Sequence, residues 1–391
     1  MINRVLYKQI LTRLQKTPAI AILGARQVGK TTLAKTIAKQ FKKQILYFDL
    51  ENPRHESLLM RDAYTLLEDN KEKLIIIDEI QRQPELLTYL RPLIDEHRKN
   101  GRFLLLGSAS PQLVKGVSES LAGRIHYAKL PPLFLGELPK NFKLEKLWFR
   151  GGFPKALLAK RDADYCFWMD DFIKTYTERD LNDIYNINLP RTTIAAFWKM
   201  LAHNHSALYN AEMFGRSLGI TSPTVTRYLD YLEGAFLVRR LPAYFVNAKK
   251  RLIKSPKIYI ADSGILHRLV AIDTLDDLKT NPIIGASWEG FVIEQIRCNL
   301  PQAYDIYFYR TQNGAEADLV ITKSLKPIAC IEIKLSNTPK ISDGFYSSIK
   351  DLGTKHNFVI TPKSTDLKLA PHLTLSNLAS FIEKHLTLIT K

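Results

Sequence analysis

The chain has 391 residues, of which 46% are hydrophobic and 24% are charged, and this balance excludes a disordered or fibrous protein. At about 100–200 residues per domain, the length predicts two to four domains. The 56 lysines and arginines outnumber the 39 aspartates and glutamates, for a formal net charge of +17, which is typical of proteins that bind polyanions.

The spacing of the cysteines and the length of the apolar runs argue against metal-binding, disulfide-rich and membrane-spanning proteins. The three cysteines lie far apart in sequence and form no CxxC pair, so neither a zinc knuckle nor a disulfide framework is expected. The N-terminus lacks an apolar signal segment, and the longest apolar runs have the length of strands rather than of a membrane span. We therefore expect a cytoplasmic protein without a membrane partner.

In the first 150 residues, short apolar runs alternate with helical spacing. The predicted strands are Ala19–Leu23, Ile45–Phe48, Leu74–Ile77 and Phe103–Leu106, and a helix is predicted over Lys30–Lys43. This alternation is typical of an α/β fold in which a parallel sheet is connected by crossover helices. The same segment holds 26 basic and 15 acidic residues, so it carries most of the positive excess.

A glycine-rich motif joins the first predicted strand to this helix. Residues 24–31 match G-x-x-x-x-G-K-[ST] without exception. Such glycines let backbone N–H groups face phosphates, the lysine reaches the β- and γ-phosphate oxygens, and the threonine supplies a hydroxyl to Mg²⁺. A chance glycine-rich turn is disfavoured by the flanking strand and helix. We therefore predict a P-loop NTPase domain over residues 1–147 that binds ATP and Mg²⁺ through Gly24, Ala25, Arg26, Gln27, Val28, Gly29, Lys30, Thr31 and Thr32.

Polar residues at the ends of the next strands complete the predicted nucleotide site. Asp78 and Glu79 follow the strand over 74–77, about 50 residues after the P-loop, where Asp78 would join the Mg²⁺ shell and Glu79 would act as general base on water. Ser108 would contact the γ-phosphate, and an ordinary strand-to-loop turn is its alternative. Arg124 would neutralise transition-state charge, in cis or across a subunit interface of a homo-oligomer. A surface cation is the alternative for Arg124.

Residues 148–202 have helical spacing and are predicted to form a helical lid or linker. A winged helix is predicted over residues 203–250, with Gly219 in the turn, Ser222 as N-cap and Pro223 as first helical residue. Its buried stripe would be Val225, Leu229 and Leu232, and its wing would pair residues 236–241 with 243–246. The alternative to a DNA contact is a rigid spacer between proteins. The predicted DNA contacts are Thr224, Arg227, Arg239 and Arg240.

Residues 251–391 are predicted to form a second α/β domain, with strands over 257–260, 306–310, 317–321, 328–333 and 357–360. Asp318 begins one strand and Glu332-Ile-Lys334 ends the next, a spacing typical of PD-(D/E)xK nucleases, and period two places Glu332 and Lys334 on one face. Two carboxylates can hold Mg²⁺ while the lysine orients water, and Glu289 on an upstream helix would complete the site. A salt bridge between strands is the alternative, and cleavage stays open.

Taken together, these motifs resemble those of the bacterial and archaeal AAA-type P-loop ATPases that carry a C-terminal domain of unknown function with a restriction-endonuclease-like core. The resemblance runs from about residue 1 to 375 and rests on the P-loop and on segments 77–81, 106–108, 121–124, 151–154, 259–264, 288–289, 316–318 and 332–334. It implies ATP binding and hydrolysis. Ala317, rather than proline, precedes Asp318, and this frequent variation leaves nuclease activity open.

The sequence thus predicts an Mg²⁺-dependent ATPase that couples nucleotide turnover to DNA binding or remodelling, with a nuclease-like C-terminal domain. Its expected partners are nucleotide, DNA and further copies of the chain. The alternative is a nucleotide-switched protein-interaction module whose C-terminal domain is catalytically inactive.

Overall fold

The computed structural model describes residues 2–41, 43–110, 121, 123–185, 187, 189–245 and 253–390. Its N-terminal segment is built on five strands, β1 (Ala19–Leu23), β2 (Ile45–Asp49), β3 (Leu74–Asp78), β4 (Phe103–Gly107) and β5 (Ile125–Lys129). They form a parallel sheet in the order β2-β3-β4-β1-β5. The helices of this segment are α1 (Leu6–Leu14), α2 (Lys30–Gln40), α3 (Pro53–Asp69) and α4 (Leu86–His97).

The four predicted strands of this sheet are confirmed. Strands β1, β3 and β4 are buried along their whole length, as expected for continuous apolar runs whose two faces are both covered. Strand β5 was not predicted, because it lies at the edge, is half-buried and carries polar residues. Because β4 lies between β1 and β3, the residues after β4 meet both the P-loop and the acids that follow β3.

The segment from Leu144 to His203 is mainly helical, as its spacing predicts. The helices are α5 (Leu144–Arg150), α6 (Pro154–Leu157), α7 (Asp162–Thr175), α8 (Leu181–Tyr185) and α9 (Arg191–His203). A π-helical turn, Tyr176–Asp180, joins α7 to α8, and such turns are frequent at functional sites.

A helix-turn-helix follows, formed by α10 (Ala211–Leu218) and α11 (Ser222–Gly234). Gly219 makes the turn with a φ of 67°, and the predicted stripe of Val225, Leu229 and Leu232 is buried. The predicted N-cap is wrong by one residue. Thr221, rather than Ser222, accepts the hydrogen bond from the backbone N–H of Thr224 at 3.4 Å.

The two strands after α11 pair differently from the prediction. Strand β6 (Val238–Leu241) pairs antiparallel with β7 (Lys257–Ile260), so the predicted pairing of 236–241 with 243–246 is wrong. Pro242 follows β6 directly and leaves no room for the two-residue turn that a tight hairpin needs. Ala243 instead bridges to Phe308, while residues 246–252, which include the end of the predicted second wing strand, lie outside the described residues. Strand β7, predicted within the second α/β domain, therefore belongs to the sheet of β6.

The C-terminal sheet has the order β12-β13-β11-β10-β9-β8. Its strands are β8 (Tyr304–Arg310), β9 (Glu316–Lys323), β10 (Lys326–Ile333), β11 (His356–Thr361), β12 (Leu367–Ala370) and β13 (Leu373–Asn377). Strands β8, β9 and β10 are antiparallel neighbours, whereas β11 is parallel to both β10 and β13. The accompanying helices are α12 (Ser263–Leu269), α13 (Leu275–Thr280), α14 (Ile284–Asn299), α15 (Asp343–Leu352), α16 (Leu378–Ser380) and α17 (Thr387–Ile389).

One apolar core runs from α1 through the helical segment into the C-terminal sheet. The rings of Trp148 on α5 and Trp288 on α14, for example, meet edge to face with centroids 5.1 Å apart. A second core fills the other face of the N-terminal sheet. Among the described residues, none of the helices combines the length and the apolar character that a membrane crossing requires.

Candidate functional site

The P-loop connects β1 to α2, as predicted for residues 24–32. Gly29 has a φ of 98° and Gln27 one of 65°, so the loop needs left-handed backbone at two places. Gly24 is required for a different reason, because a Cβ there would lie 2.3 Å from the carbonyl oxygen of Leu130. The loop ends at Lys30, the first residue of α2. The N-terminus of α2 therefore faces the P-loop.

Lys30, Ser108 and Glu79 form one hydrogen-bonded network. Lys30 Nζ donates to Ser108 Oγ at 2.8 Å and to the carbonyl oxygens of Gly24 and Ala25 at 3.0 and 2.9 Å. Ser108 Oγ in turn donates to Glu79 Oε1 at 3.1 Å. Burial lowers the pKa of Lys30, against the opposing effect of Glu79 and Asp78. The structure thus brings together residues that follow β1, β3 and β4.

Glu79 has an unusual backbone and a shifted pKa. Its φ is 56°, and the amide of Gln81 donates to Glu79 Oε2. Burial by itself would raise the pKa of Glu79, but Lys30, Gln81 and Arg26 outweigh it, so the pKa lies below its usual value. Glu79 is therefore a carboxylate at neutral pH, which is the form that can accept a proton from water.

Thr31 and Asp78 meet beside this network. Thr31 Oγ1 and the hydroxyl of Tyr47 both donate to Asp78 Oδ2, each at 2.7 Å. Burial raises the pKa of Asp78 in spite of these hydrogen bonds. Hydroxyl and carboxylate oxygens are ligands of the kind that Mg²⁺ takes in proteins, so the predicted pair of Thr31 and Asp78 fits this ion.

Arg26 ties the P-loop to the helical segment. Its backbone N–H donates to the hydroxyl of Tyr176 at 2.7 Å, and its guanidinium pairs with the buried Asp180 and, at 3.0 Å, with Glu51. The sequence analysis missed Tyr176 and Asp180, since they lie 150 and 154 residues away and no local pattern marks them. Gln81 lies within the segment 77–81 on which the resemblance rests, and Tyr47 lies within a predicted strand, but neither was assigned a role in the site.

The C-terminal acids converge on a lysine that the sequence analysis left unassigned. Lys257 Nζ lies 3.2 Å from Glu289 Oε1, 3.5 Å from Glu316 Oε1 and 3.7 Å from Asp318 Oδ1. These acids outweigh burial and raise the pKa of Lys257 above its usual value. Burial raises the pKa of Glu289, and Asp318 raises it further.

The predicted pair on β10 lies beside this cluster. Lys334 Nζ is 2.9 Å from Glu332 Oε1, and the hydroxyl of Ser342 donates to the same oxygen at 3.0 Å. Glu332 Oε2 is buried without a hydrogen-bond partner. Asp318 Oδ2 accepts from the backbone N–H of Ile333 at 2.8 Å. The predicted residues of β9, β10 and α14 are thus neighbours, with Lys257 among them.

Three family models match consecutive parts of the chain. An AAA domain matches residues 16–138, a domain of unknown function (DUF8612) matches 141–276, and a second domain of unknown function (DUF4143) matches 284–381. The uncharacterized protein Rv2008c of Mycobacterium tuberculosis is 41% identical over 349 residues, which make up 89% of this chain and 77% of that protein. The chain therefore belongs to the same family as that protein, and its N-terminal part is an AAA-type P-loop domain.

More distant similarities accompany this match. An uncharacterized protein of Haemophilus influenzae is 26% identical over 299 residues, 68% of this chain and 72% of that protein. The Walker-type ATPase PABY2304 of Pyrococcus abyssi superposes with a TM-score of 0.46 at 14% identity, covering 69% of this chain and 96% of the other. A similarity this loose assigns no function.

Arg124 lies outside the P-loop, on the surface of the N-terminal segment. Its guanidinium pairs with Asp95 of α4, with Nε 2.6 Å from Oδ1 and one terminal nitrogen 2.9 Å from Oδ2. Ala122, within the segment 121–124, lies outside the described residues. The charge-neutralising role of Arg124 stays a prediction.

The four predicted DNA contacts divide into two pairs. On α11, Arg227 is exposed, and Thr224 is half-buried with its hydroxyl 3.0 Å from that of Thr221. Both arginines of β6 have acidic partners instead. Arg239 pairs with Glu294 of α14 at 2.9 Å, and the guanidinium of Arg240 pairs with two acids of α11, Asp230 and Glu233.

Proposed function

We propose that this protein is an Mg²⁺-dependent ATPase that hydrolyses ATP at the P-loop. The observation that carries the proposal is the network in which Ser108 joins Lys30 to Glu79 beside the pair of Thr31 and Asp78. Lys30 and the P-loop N–H groups would hold the phosphates, and Thr31 and Asp78 would hold Mg²⁺, which supplies charge neutralisation at the β- and γ-phosphates. Glu79 would accept the proton of the attacking water.

A phosphate-release assay tests the proposed hydrolysis. The wild type is compared with Asp78→Asn, which keeps the size of the side chain but removes its charge, in Mg²⁺ and in EDTA. We expect turnover of ATP that requires Mg²⁺ and falls by about 100-fold or more in the variant, since one well-placed electrostatic contact contributes roughly 10²–10³-fold. Wild-type protein that binds ATP and releases no phosphate would contradict hydrolysis.

We further propose that nucleotide turnover is transmitted to α11. The backbone N–H of Ser110, two residues after Ser108, donates to the carbonyl oxygen of Gly234 at the end of α11 at 2.9 Å. The hydroxyl of Tyr185 on α8 donates to the carbonyl oxygen of Tyr231 at 2.9 Å. Together with the contact of Arg26 to the turn before α8, these bonds give two routes from the phosphate site to one helix.

Hydrogen–deuterium exchange of α11 tests this coupling. A non-hydrolysable ATP analogue should change exchange in α11 of the wild type and should do so less in Asp180→Asn, which removes the carboxylate that pairs with Arg26. The matched control is Asp183→Asn, one turn along, whose carboxylate lies 3.8 Å from Arg179 at the surface. Equal responses in all three proteins would contradict the route through Asp180.

DNA is the partner that we propose for α11. The net charge of +17 and the exposed Arg227 on the second helix of a helix-turn-helix support it. Binding should weaken with a negative log–log dependence on salt, and Arg227→Ala should lower the slope by about 1. Arg61→Ala is the control, because Arg61 is equally exposed but lies on α3.

A nucleotide-switched protein-interaction module is the second candidate. The ion pairs of Arg239 and Arg240 favour it, because they engage two of the four predicted DNA contacts within the chain. No measurable DNA binding at low salt would select this candidate.

For the C-terminal domain we propose a nuclease-like fold. The order α14, three antiparallel strands β8–β10, then α15 and the parallel strand β11 supports it, as does the meeting of Glu289, Asp318, Glu332 and Lys334 at one edge.

A further inference from the structure

A buried lysine occupies the centre of the C-terminal carboxylate cluster. Lys257 is only 5% exposed, and its ammonium nitrogen lies within 3.7 Å of oxygens of Glu289, Glu316 and Asp318. We infer that this ammonium takes the place that a divalent cation would have among these carboxylates. The site is then a metal-free ion cluster that fastens β7 to the C-terminal sheet, and the inference does not depend on the proposed ATPase activity.

With Lys257 in place, the oxygens around it are not arranged to hold a metal ion. Within the part of the chain that the structure describes, the acids around Lys257 do not bring three ligand atoms within 4.8 Å of one another. Their oxygens already accept hydrogen bonds from the chain. The hydroxyl of Tyr259 donates to Glu289 Oε1 at 2.6 Å, and the backbone N–H of Ile333 donates to Asp318 Oδ2 at 2.8 Å.

Strand β7 holds the backbone of Lys257 in place between two neighbouring segments. Strand β7 pairs with β6 on one side. On its other side, Ser206 and Ala207 exchange backbone hydrogen bonds of 2.8 and 3.0 Å with Ile258. The ammonium also faces the ring of Phe308, 5.7 Å from its centroid. The backbone of Lys257 is thus held in β7 from both sides, and its side chain is buried with the ammonium among the acids.

The charge of the cluster has a consequence for phosphate substrates. Four carboxylates, those of Glu289, Glu316, Asp318 and Glu332, meet Lys257, Lys334 and Arg310, the last of which lies 3.5 Å from Glu316. The cluster therefore has no net positive charge that would attract a phosphate. Phosphodiester cleavage at paired carboxylates relies on metal ions to bring the anionic substrate among them. With an ammonium fixed in that position, no metal ion draws phosphate into the cluster, and we expect no nucleic-acid cleavage here.

Metal-binding stoichiometry tests the inference. The probe is Mn²⁺ without nucleotide, counted by electron paramagnetic resonance on the full chain. Wild type and Asp318→Asn should bind equal amounts. Lys257→Met, which removes the ammonium but keeps the volume, should bind one further Mn²⁺ per chain, because oxygens of Glu289 and Asp318 and the unpartnered Glu332 Oε2 are then open to it. Its melting temperature should rise with Mn²⁺, whereas that of the wild type should not.

Two controls make the result decisive. Lys257→Arg retains the cation and should gain no Mn²⁺, and the double variant Lys257→Met with Asp318→Asn should lose the gain. A Mn²⁺ ion that the wild type binds and Asp318→Asn loses would overturn the inference, as would a folded Lys257→Met that gains none. If Lys257→Met does not fold, the comparison of wild type with Asp318→Asn still decides the question.

Discussion

Ser108 offers the sharpest test of how the proposed catalytic residues are connected. Its hydroxyl contacts both Lys30, at 2.8 Å, and Glu79, at 3.1 Å. Ser108→Ala removes both hydrogen bonds and little volume. Lys30 keeps the carbonyl oxygens of Gly24 and Ala25, so we expect the loss to fall on catalysis more than on nucleotide binding.

The size of the expected loss in kcat follows from the strength of hydrogen bonds to charged groups. A hydrogen bond to a charged group contributes about 1.5–3 kcal/mol. Glu79 retains the amide of Gln81, which compensates in part, so we expect about 2 kcal/mol of lost transition-state stabilisation, or roughly 30-fold in kcat. The assay is steady-state phosphate release at saturating ATP and Mg²⁺, with the affinity for a fluorescent ATP analogue measured in parallel.

Ser110→Ala is the matched control for this experiment. Ser110 lies two residues further along, and its contact to Gly234 uses the backbone N–H, which the substitution leaves in place. We expect its kcat to stay near that of the wild type. A Ser108→Ala variant with wild-type kcat would refute the connection of Lys30 to Glu79 through Ser108 as a catalytic feature.

Two further predictions concern binding and stability. Lys30→Ala removes the phosphate-facing ammonium and should abolish ATP binding, and normal affinity in a fluorescence titration would contradict the site. The Nδ1 of His267 lies 2.7 Å from the carbonyl oxygen of Phe149, and its Nε2 lies 2.7 Å from the hydroxyl oxygen of Ser287. Burial of this ring lowers the pKa of His267 to about 4 from 6.5. The unfolded chain therefore protonates His267 at a higher pH than the folded chain does. As the pH falls from 6.5 to 4, His267 lowers the free energy of unfolding by about 1.4 kcal/mol per pH unit. The melting temperature should fall less steeply over this range in His267→Gln, and parallel pH profiles would contradict the assignment.

The nucleotide site was predictable because its chemistry is local in sequence. The P-loop occupies consecutive residues, and Asp78, Glu79 and Ser108 each follow a continuous apolar run whose buried position was evident. The order of the strands then brings these segments together. No sequence pattern marked Tyr176 or Asp180, since their contacts to Arg26 arise only when the helical segment packs on the P-loop.

The C-terminal cluster was predictable in part for a similar reason. Period two places Glu332 and Lys334 together, and Asp318 lies on the adjacent strand. The place of Lys257 in the cluster was not predicted, because Lys257 belongs to β7, whose partner is β6 rather than a strand of the C-terminal sheet. Arg239 and Arg240 were expected to be exposed cations of the wing. In the structure Arg239 pairs with Glu294 of α14, and Arg240 pairs with Asp230 and Glu233 of α11.

The central claim is that this chain hydrolyses ATP with Glu79 as the base. The most direct measurement compares Glu79→Gln with the wild type for both ATP affinity and single-turnover phosphate release in Mg²⁺. We expect the variant to bind ATP as the wild type does and to lose about 100-fold or more in the rate of phosphate release. Release at the wild-type rate would contradict it.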